Sequence, residues 1–187
     1  MARRNRMSGP AIQSIVRFIA MRVLLCGAAA LLLTGPVAPL AAQSAKKYSG
    51  PRPEKADIPC LLHATKLIEL EKSAAEETKT KDGTLYTVPG AESPVKTPVP
   101  EPILLFRSDK IDPNRLVLYR MTPRGGSRTL LIPEGGRRRK DGPKPVFMLV
   151  TTLEAGLFRI EVNEPLEDGE YCLLPEGSND VFCFSEY

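Results

Sequence analysis

Cys60, Cys172, Cys183 and His63 are the side chains of this chain best suited to redox or metal chemistry. Cys60-Leu-Leu-His63 with Cys172 and Cys183 supplies the donor count of a Cys₃His zinc site. The competing chemistry is a disulfide, the ordinary fate of cysteines in an oxidising compartment. The chain has a fourth cysteine, Cys26, near its start; the three beyond residue 44 allow three pairings and leave one thiol over. His63 is the only histidine among the 187 residues and lies in an apolar run, with no Gly-x-Ser-x-Gly elsewhere in the chain. A nucleophile needs a base in reach, so His63 reads as a half-exposed strand histidine. Glu161, Glu164, Glu167 and Glu170 form a spaced row of acids. Glycoside hydrolysis needs two carboxylates across a cleft, whereas a row along a strand and its turn is a solvated face. The chain has no Trp to serve as a sugar platform. The strongest charge feature is Gly135-Gly-Arg-Arg-Arg-Lys-Asp-Gly-Pro-Lys-Pro145, with five basic residues and one acidic. Arg137, Arg138, Arg139 and Lys140 suit docking to an anionic polymer. They also suit a solvated hairpin loop whose like charges keep strand edges apart. No catalytic residue, cofactor-binding residue or metal ligand is assigned.

Two of the cysteines sit in a segment whose geometry can be worked out. Residues 170–174 and 181–184 are rich in apolar and aromatic side chains and flank Pro175-Glu-Gly-Ser-Asn-Asp180, which is turn chemistry. The pattern predicts a β-hairpin. Placing Cys172 opposite Cys183 sets Leu173 against Phe182 and Tyr171 against Phe184, all four on one face. Cys172, Leu174, Val181 and Cys183 then share the other face. A one-residue slip would mix the faces. The register therefore favours a Cys172–Cys183 bond, with a bond from Cys60 to either partner as the alternative.

The start of the chain predicts where that bond would form. Arg3, Arg4, Arg6, Arg17 and Arg22 precede the apolar run at residues 23–33, and small residues follow. This is the layout of a secretory signal over residues 1–44, with Ala42 and Ser44 at the cleavage positions. The rival is a retained anchor over residues 23–42, which Pro36 and Pro39 interrupt. The first 44 residues hold five of the 26 basic residues and none of the 22 acidic ones. Residues 45–187 therefore carry 21 against 22, a net charge near −1. The high isoelectric point belongs to the leader and is no argument for nucleic-acid binding.

The remaining elements follow in order. Residues 45–57 are polar and broken by prolines, which predicts a disordered tether. Strands are expected at residues 60–64, 66–71, 84–88, 103–107, 116–121, 128–132, 146–153 and 157–162. In the last of these, Phe158, Ile160 and Val162 point inward, and Arg159 and Glu161 outward. Residues 73–81 are the best helical candidate but lack an apolar stripe, so an exposed loop or single turn is expected. Pro123-Arg-Gly-Gly126 is read as a turn, and the proline-rich residues 89–102 as an extended edge or crossover segment. Regular short strands with turns between them predict one all-β domain over residues 58–187. The architecture expected is a single antiparallel β-sandwich, Ig-like or jelly-roll-like, with a partly open β-barrel as the alternative.

Leu166-Glu-Asp-Gly-Glu-Tyr171 and Val181-Phe-Cys-Phe184 resemble the closing strands of exported bacterial domains of unknown function. Those domains tend to end in Leu-x-Pro-Gly-Glu-Tyr and Val-Phe-x-Phe, and here Asp168 stands where proline is usual. The resemblance implies an exported β-sandwich and no particular activity.

The expected function is an exported, periplasmic or secreted, non-enzymatic binding or structural module of the cell envelope or extracellular space. It needs no cofactor. Its partner is an anionic envelope polymer or another exported protein, with no nucleic acid. The membrane is touched only through the leader, if that is not cleaved. One alternative is a small envelope hydrolase or processing factor with a carboxylate site. Another is a subunit of a surface assembly, whose mark is an exposed apolar patch or an unguarded edge strand.

Overall fold

The computed structural model describes residues 47–133 and 142–187. The expected leader and Arg137, Arg138, Arg139 and Lys140 lie outside the described residues. Thirteen strands and one short 3₁₀ turn at Pro113–Arg115 make up the described structure. They are β1 (Cys60–His63), β2 (Lys66–Glu69), β3 (Glu71–Ala74), β4 (Glu76–Thr80), β5 (Gly83–Pro89), β6 (Lys96–Thr97) and β7 (Ile103–Arg107), then β8 (Leu116–Arg124), β9 (Ser127–Ile132), β10 (Met148–Glu154), β11 (Leu157–Val162), β12 (Gly169–Pro175) and β13 (Asp180–Glu186).

The strands form two sheets. One has the order β10-β11-β7-β1-β2, and the other β3-β13-β12-β8-β9-β5-β4. Every pairing is antiparallel except that of the two-residue β6, which runs parallel to β13. β3 and β4 stand at opposite ends of the second sheet, yet only Ala75 separates them in the chain. That sheet is therefore curled into a half-barrel. Both architectures expected from the sequence are present in one molecule, a sandwich in which one layer is a curled barrel.

The curl creates two cores. Leu61, Leu104, Phe106 and Ile160 of the first sheet pack against Leu118, Leu173, Phe182 and Phe184 of the second. Inside the curl, Ala75, Val88, Met121, Leu130, Cys172, Val181 and Cys183 form a second cluster. β12 and β13 lie between the two and are buried on both faces. That burial explains why neither strand has a polar face. The hairpin register is the one the aromatic face dictates: Tyr171 opposite Phe184, Cys172 opposite Cys183 and Leu173 opposite Phe182.

Three local expectations are corrected. Residues 73–80 are strand on either side of Ala75, rather than loop or helical turn. β3 pairs with β13, and β4 pairs with β5 along Glu76–Thr80. β4 is exposed throughout, so no apolar alternation announces it, and pairing with a neighbour fixes its conformation. β8 continues through Pro123 to Arg124. The turn is only Gly125-Gly126, at φ 60° and 80°, the two-residue hairpin geometry that glycine supplies without steric cost. Residues 47–57 are seated on the domain rather than forming a free tether. Arg52 pairs with Glu154, Pro53 is buried, the Asp57 N–H donates to the Arg107 carbonyl at 2.8 Å, and Ser108 donates to Asp57 Oδ1 at 2.6 Å.

Candidate functional site

The sulfurs expected to pair do so. Cys172 and Cys183 form a disulfide with Cα atoms 4.1 Å apart, on the barrel side of the hairpin. Among the described residues Cys60 is the free cysteine; it is buried and lies in the other sheet. Burial, then the charge of Glu69, pushes its thiol up to about 11, so at neutral pH it is protonated and a poor ligand or nucleophile. His63 Nε2 lies 3.1 Å from Thr97 Oγ1, a satisfied strand histidine. With two of the three sulfurs bonded to each other, the Cys₃His set is not assembled.

The row of acids breaks up. Glu161 makes a 2.6 Å ion pair with Arg159 that lacks hydrogen-bond alignment. Glu164 accepts the Phe147 N–H at 2.8 Å, and Glu167 pairs with Arg120 at 2.6 Å. Glu170 departs from the solvated-face reading altogether, for it is buried. It accepts from the Ser93 N–H at 2.8 Å and from the Ser185 hydroxyl. Strand alternation puts it on the face of Cys172, where the curl closes over it.

Glu170 belongs to a network that sequence reasoning missed. Arg128, 0% exposed, sits on β9 in the barrel interior. It donates to both Glu71 oxygens at 2.8 and 2.9 Å, to the Gly90 carbonyl at 3.0 Å and to the Pro89 carbonyl at 2.8 Å. Glu170 lies 3.6 Å away. A buried guanidinium is tolerable because its donors are satisfied by fixed acceptors. The network ties the crossover after β5 to β3, β9 and β12. Its signal was available: Arg128 alternates with Leu130 and Ile132, so it shares their inward face.

Two surface features remain. A cleft of about 310 Å³ is lined by Lys72, Lys110 and Arg115 with Asp57, Glu176 and Asp180. These charges are paired among themselves: Lys72–Asp180 at 2.7 Å, Arg115–Glu176 at 2.7 Å and Lys110–Asp57 at 3.8 Å. Asn114 holds Asp112 below the usual carboxylate range, and Arg115 does the same for Glu176. A general acid near neutral pH needs the opposite shift.

The second feature is apolar. A groove of about 490 Å³ runs between β8 and β10, lined among others by Leu116, Val117, Val146, Phe147, Met148 and Leu149, with no charged side chain. Phe147 is 60% and Leu149 48% exposed. β10 is an outer strand of its sheet. The eight residues from Val146 to Leu153 carry no charge, whereas β2 carries Lys66 and Glu69, and β4 carries Glu76, Glu77 and Lys79. Charged side chains normally guard an edge strand against pairing with another chain. Sequence reasoning had found the strand but not its position at an edge, which depends on the order in which distant strands pair. Lys144, described just before this strand, is exposed. Comparison of the chain with family models, with curated proteins and with solved structures finds no match.

Proposed function

We propose that this chain is an exported, non-enzymatic β-sandwich that serves as a protein-binding or structural module of the cell envelope or extracellular space, with the β10 groove as its docking surface. The observation that carries the reading is the uncharged stretch from Met148 to Leu153 on the edge strand, just past the point where the Val146 N–H donates to the Leu118 carbonyl of β8, with Phe147 and Leu149 exposed. Isolated exposed apolar residues are common, but a contiguous patch on an open edge marks an interaction site. Export is supported by the basic, then apolar, then small-residue leader and by the disulfide, which persists in oxidising compartments. The non-enzymatic reading is supported by the mutual pairing of the cleft charges and by the downward shifts of Asp112 and Glu176.

The test is site-specific photo-crosslinking in the exported fraction. A photoreactive residue at position 147 is expected to give a discrete adduct. The same residue at the exposed Lys79 on β4 is expected to give none. An equal yield at the two positions would contradict the docking surface.

A further inference from the structure

We infer that residues 51–57 are a strap that opens as a local unit and that, closed, shields the Cys60 thiol from disulfide exchange. Among the described residues Cys60 is the thiol left over once Cys172 and Cys183 have paired. In an oxidising compartment a free thiol attacks disulfides, those of its own chain included. The need for a shield therefore rests on the export proposed above, whereas the opening of the strap does not.

Strand register shows what needs covering. It sets Thr151, Arg159, Leu105, Cys60 and Glu69 in one row across the five strands of the first sheet. Their neighbours along the strands, Leu61, Leu104, Phe106 and Ile160, point into the sandwich core. The row therefore faces away from the second sheet. Such a row is open to solvent unless something lies on it, and Thr151 at its end is exposed. Its middle is closed: Leu105 is 1% and Cys60 2% exposed. One step along the same face, Ile103, Leu62 and Glu161 are only partly buried. The cover is thus confined to the middle of one row.

The strap is fixed at points that run from one edge of that sheet to the other. Arg52 pairs with Glu154 at the end of β10, and its guanidinium lies 5.7 Å from the centre of the Tyr48 ring. Arg107 of β7 donates to the Glu54 carbonyl. Lys55 pairs at 2.7 Å with Glu69 of β2, the strand partner of Cys60, which brings its aliphatic stem over the thiol. Pro53, between these fixings, is buried. Asp57 is the firm end, held by Ser108 at 2.6 Å and by its N–H to the Arg107 carbonyl at 2.8 Å. That last contact is the one backbone–backbone hydrogen bond of residues 51–57 among the described residues. Side chains that reach solvent hold the rest, and such contacts open at far lower cost than strands in a ladder. The strap can therefore part from the sheet while both cores stand. Closed, it keeps reagents off the thiol, and burial pushes that thiol up to about 11, so little thiolate forms.

The experiment is the rate at which Cys60 of the purified protein reacts with excess dithiodipyridine, a neutral disulfide. The Cys60 thiolate attacks one sulfur, a mixed disulfide forms, and the other half leaves as thiopyridone, which takes up the proton and is counted by its absorbance. The expected rate is slow and nearly independent of urea below the unfolding transition, the mark of local opening. Arg52→Ser and Lys55→Ser are each expected to raise it about two- to fivefold, with Tm lower by no more than about 3 °C. Raising salt from about 0.05 to about 1 M should act in the same direction by screening both pairs. Lys55 draws the thiol down, so losing its charge would by itself slow the reaction, and a gain reads opening. Arg52→Glu should react faster still, and adding Glu154→Arg should restore the slow rate. A rate that climbs with urea in step with global unfolding, or strap variants that react like the parent, overturns the inference. Export is decided separately by intact mass, so a chain that is not exported and a strap that does not open give different results.

Discussion

Replacing Arg128 with Met would strike the network that closes the barrel interior. The substitution removes four donor contacts, two to Glu71 and one each to the Gly90 and Pro89 carbonyls. It also leaves Glu170 buried without its 3.6 Å countercharge. Breaking a buried ion pair by deleting one partner costs about 3–5 kcal/mol, because the surviving charge stays desolvated. The compact unit spans residues 44–187, for which each kcal/mol moves Tm by about 3 °C. Arg128→Met is therefore expected to lower Tm by about 10–15 °C. Removing Glu71 as well, as Arg128→Met with Glu71→Leu, should recover part of the loss, since an apolar replacement of the pair restores packing without a stranded charge.

The pH dependence adds a sign. Burial pushes the Glu71 carboxyl up, but hydrogen bonds from Arg128 and Ser93 and the charge of Arg128 hold it below the usual carboxylate range. A depressed carboxyl contributes stability above its unfolded value of about 4.3 and loses it as pH falls through the folded value. In Arg128→Met burial is opposed by Ser93 alone, so the deficit should shrink as pH drops from about 6 toward 4. Thermal melts by near-ultraviolet circular dichroism across that range read both effects. A loss under about 1 kcal/mol at neutral pH, or a double variant no more stable than the single, would refute the reasoning.

Further predictions concern the hairpin, the end of β13 and the leader. The Cys172–Cys183 bond closes a separation of 11 residues, which chain entropy values at about 3 kcal/mol. Reduction should thus lower Tm by about 9 °C without abolishing the fold, and non-reducing peptide mapping should recover Cys60 alkylated and unpaired. Glu186 is buried with Oε2 unpartnered, and burial and then Asp168 push its carboxyl up. A raised carboxyl destabilises as pH climbs through its folded value, so Glu186→Gln should raise Tm at pH 7 and lose that advantage near pH 4. A melt showing the reverse order would contradict the assignment. Intact-mass measurement of the exported protein should place its N-terminus near Ala45, and a full-length chain held in the membrane would mean an anchor instead.

What could be read from the sequence was whatever strand alternation and turn chemistry decide locally. The hairpin is the clearest case, since Tyr171, Leu173, Phe182 and Phe184 admit one register, and that register carries the cysteines with it. β11 and β5 were legible for the same reason. β3 and β4 were not: Glu76, Glu77 and Lys79 of β4 have no buried face, and the strand conformation comes from pairing, of β3 with β13 and of β4 with β5. Arg128 and Glu170 were hidden by the rule that charge belongs outside. Alternation placed both on inward faces, but their partners lie 57 and 77 residues away in sequence. The groove was hidden for a different reason. Val146 to Leu153 reads as a core strand until the sheet order leaves it at an edge.

The central claim is that this uncharged edge is a docking surface, and photo-crosslinking from position 147 tests it most directly. The account predicts a discrete adduct in the exported fraction that is lost with Leu149→Asp and absent from position 79. Equal labelling at the two positions, or an adduct that survives Leu149→Asp in a folded protein, would contradict it.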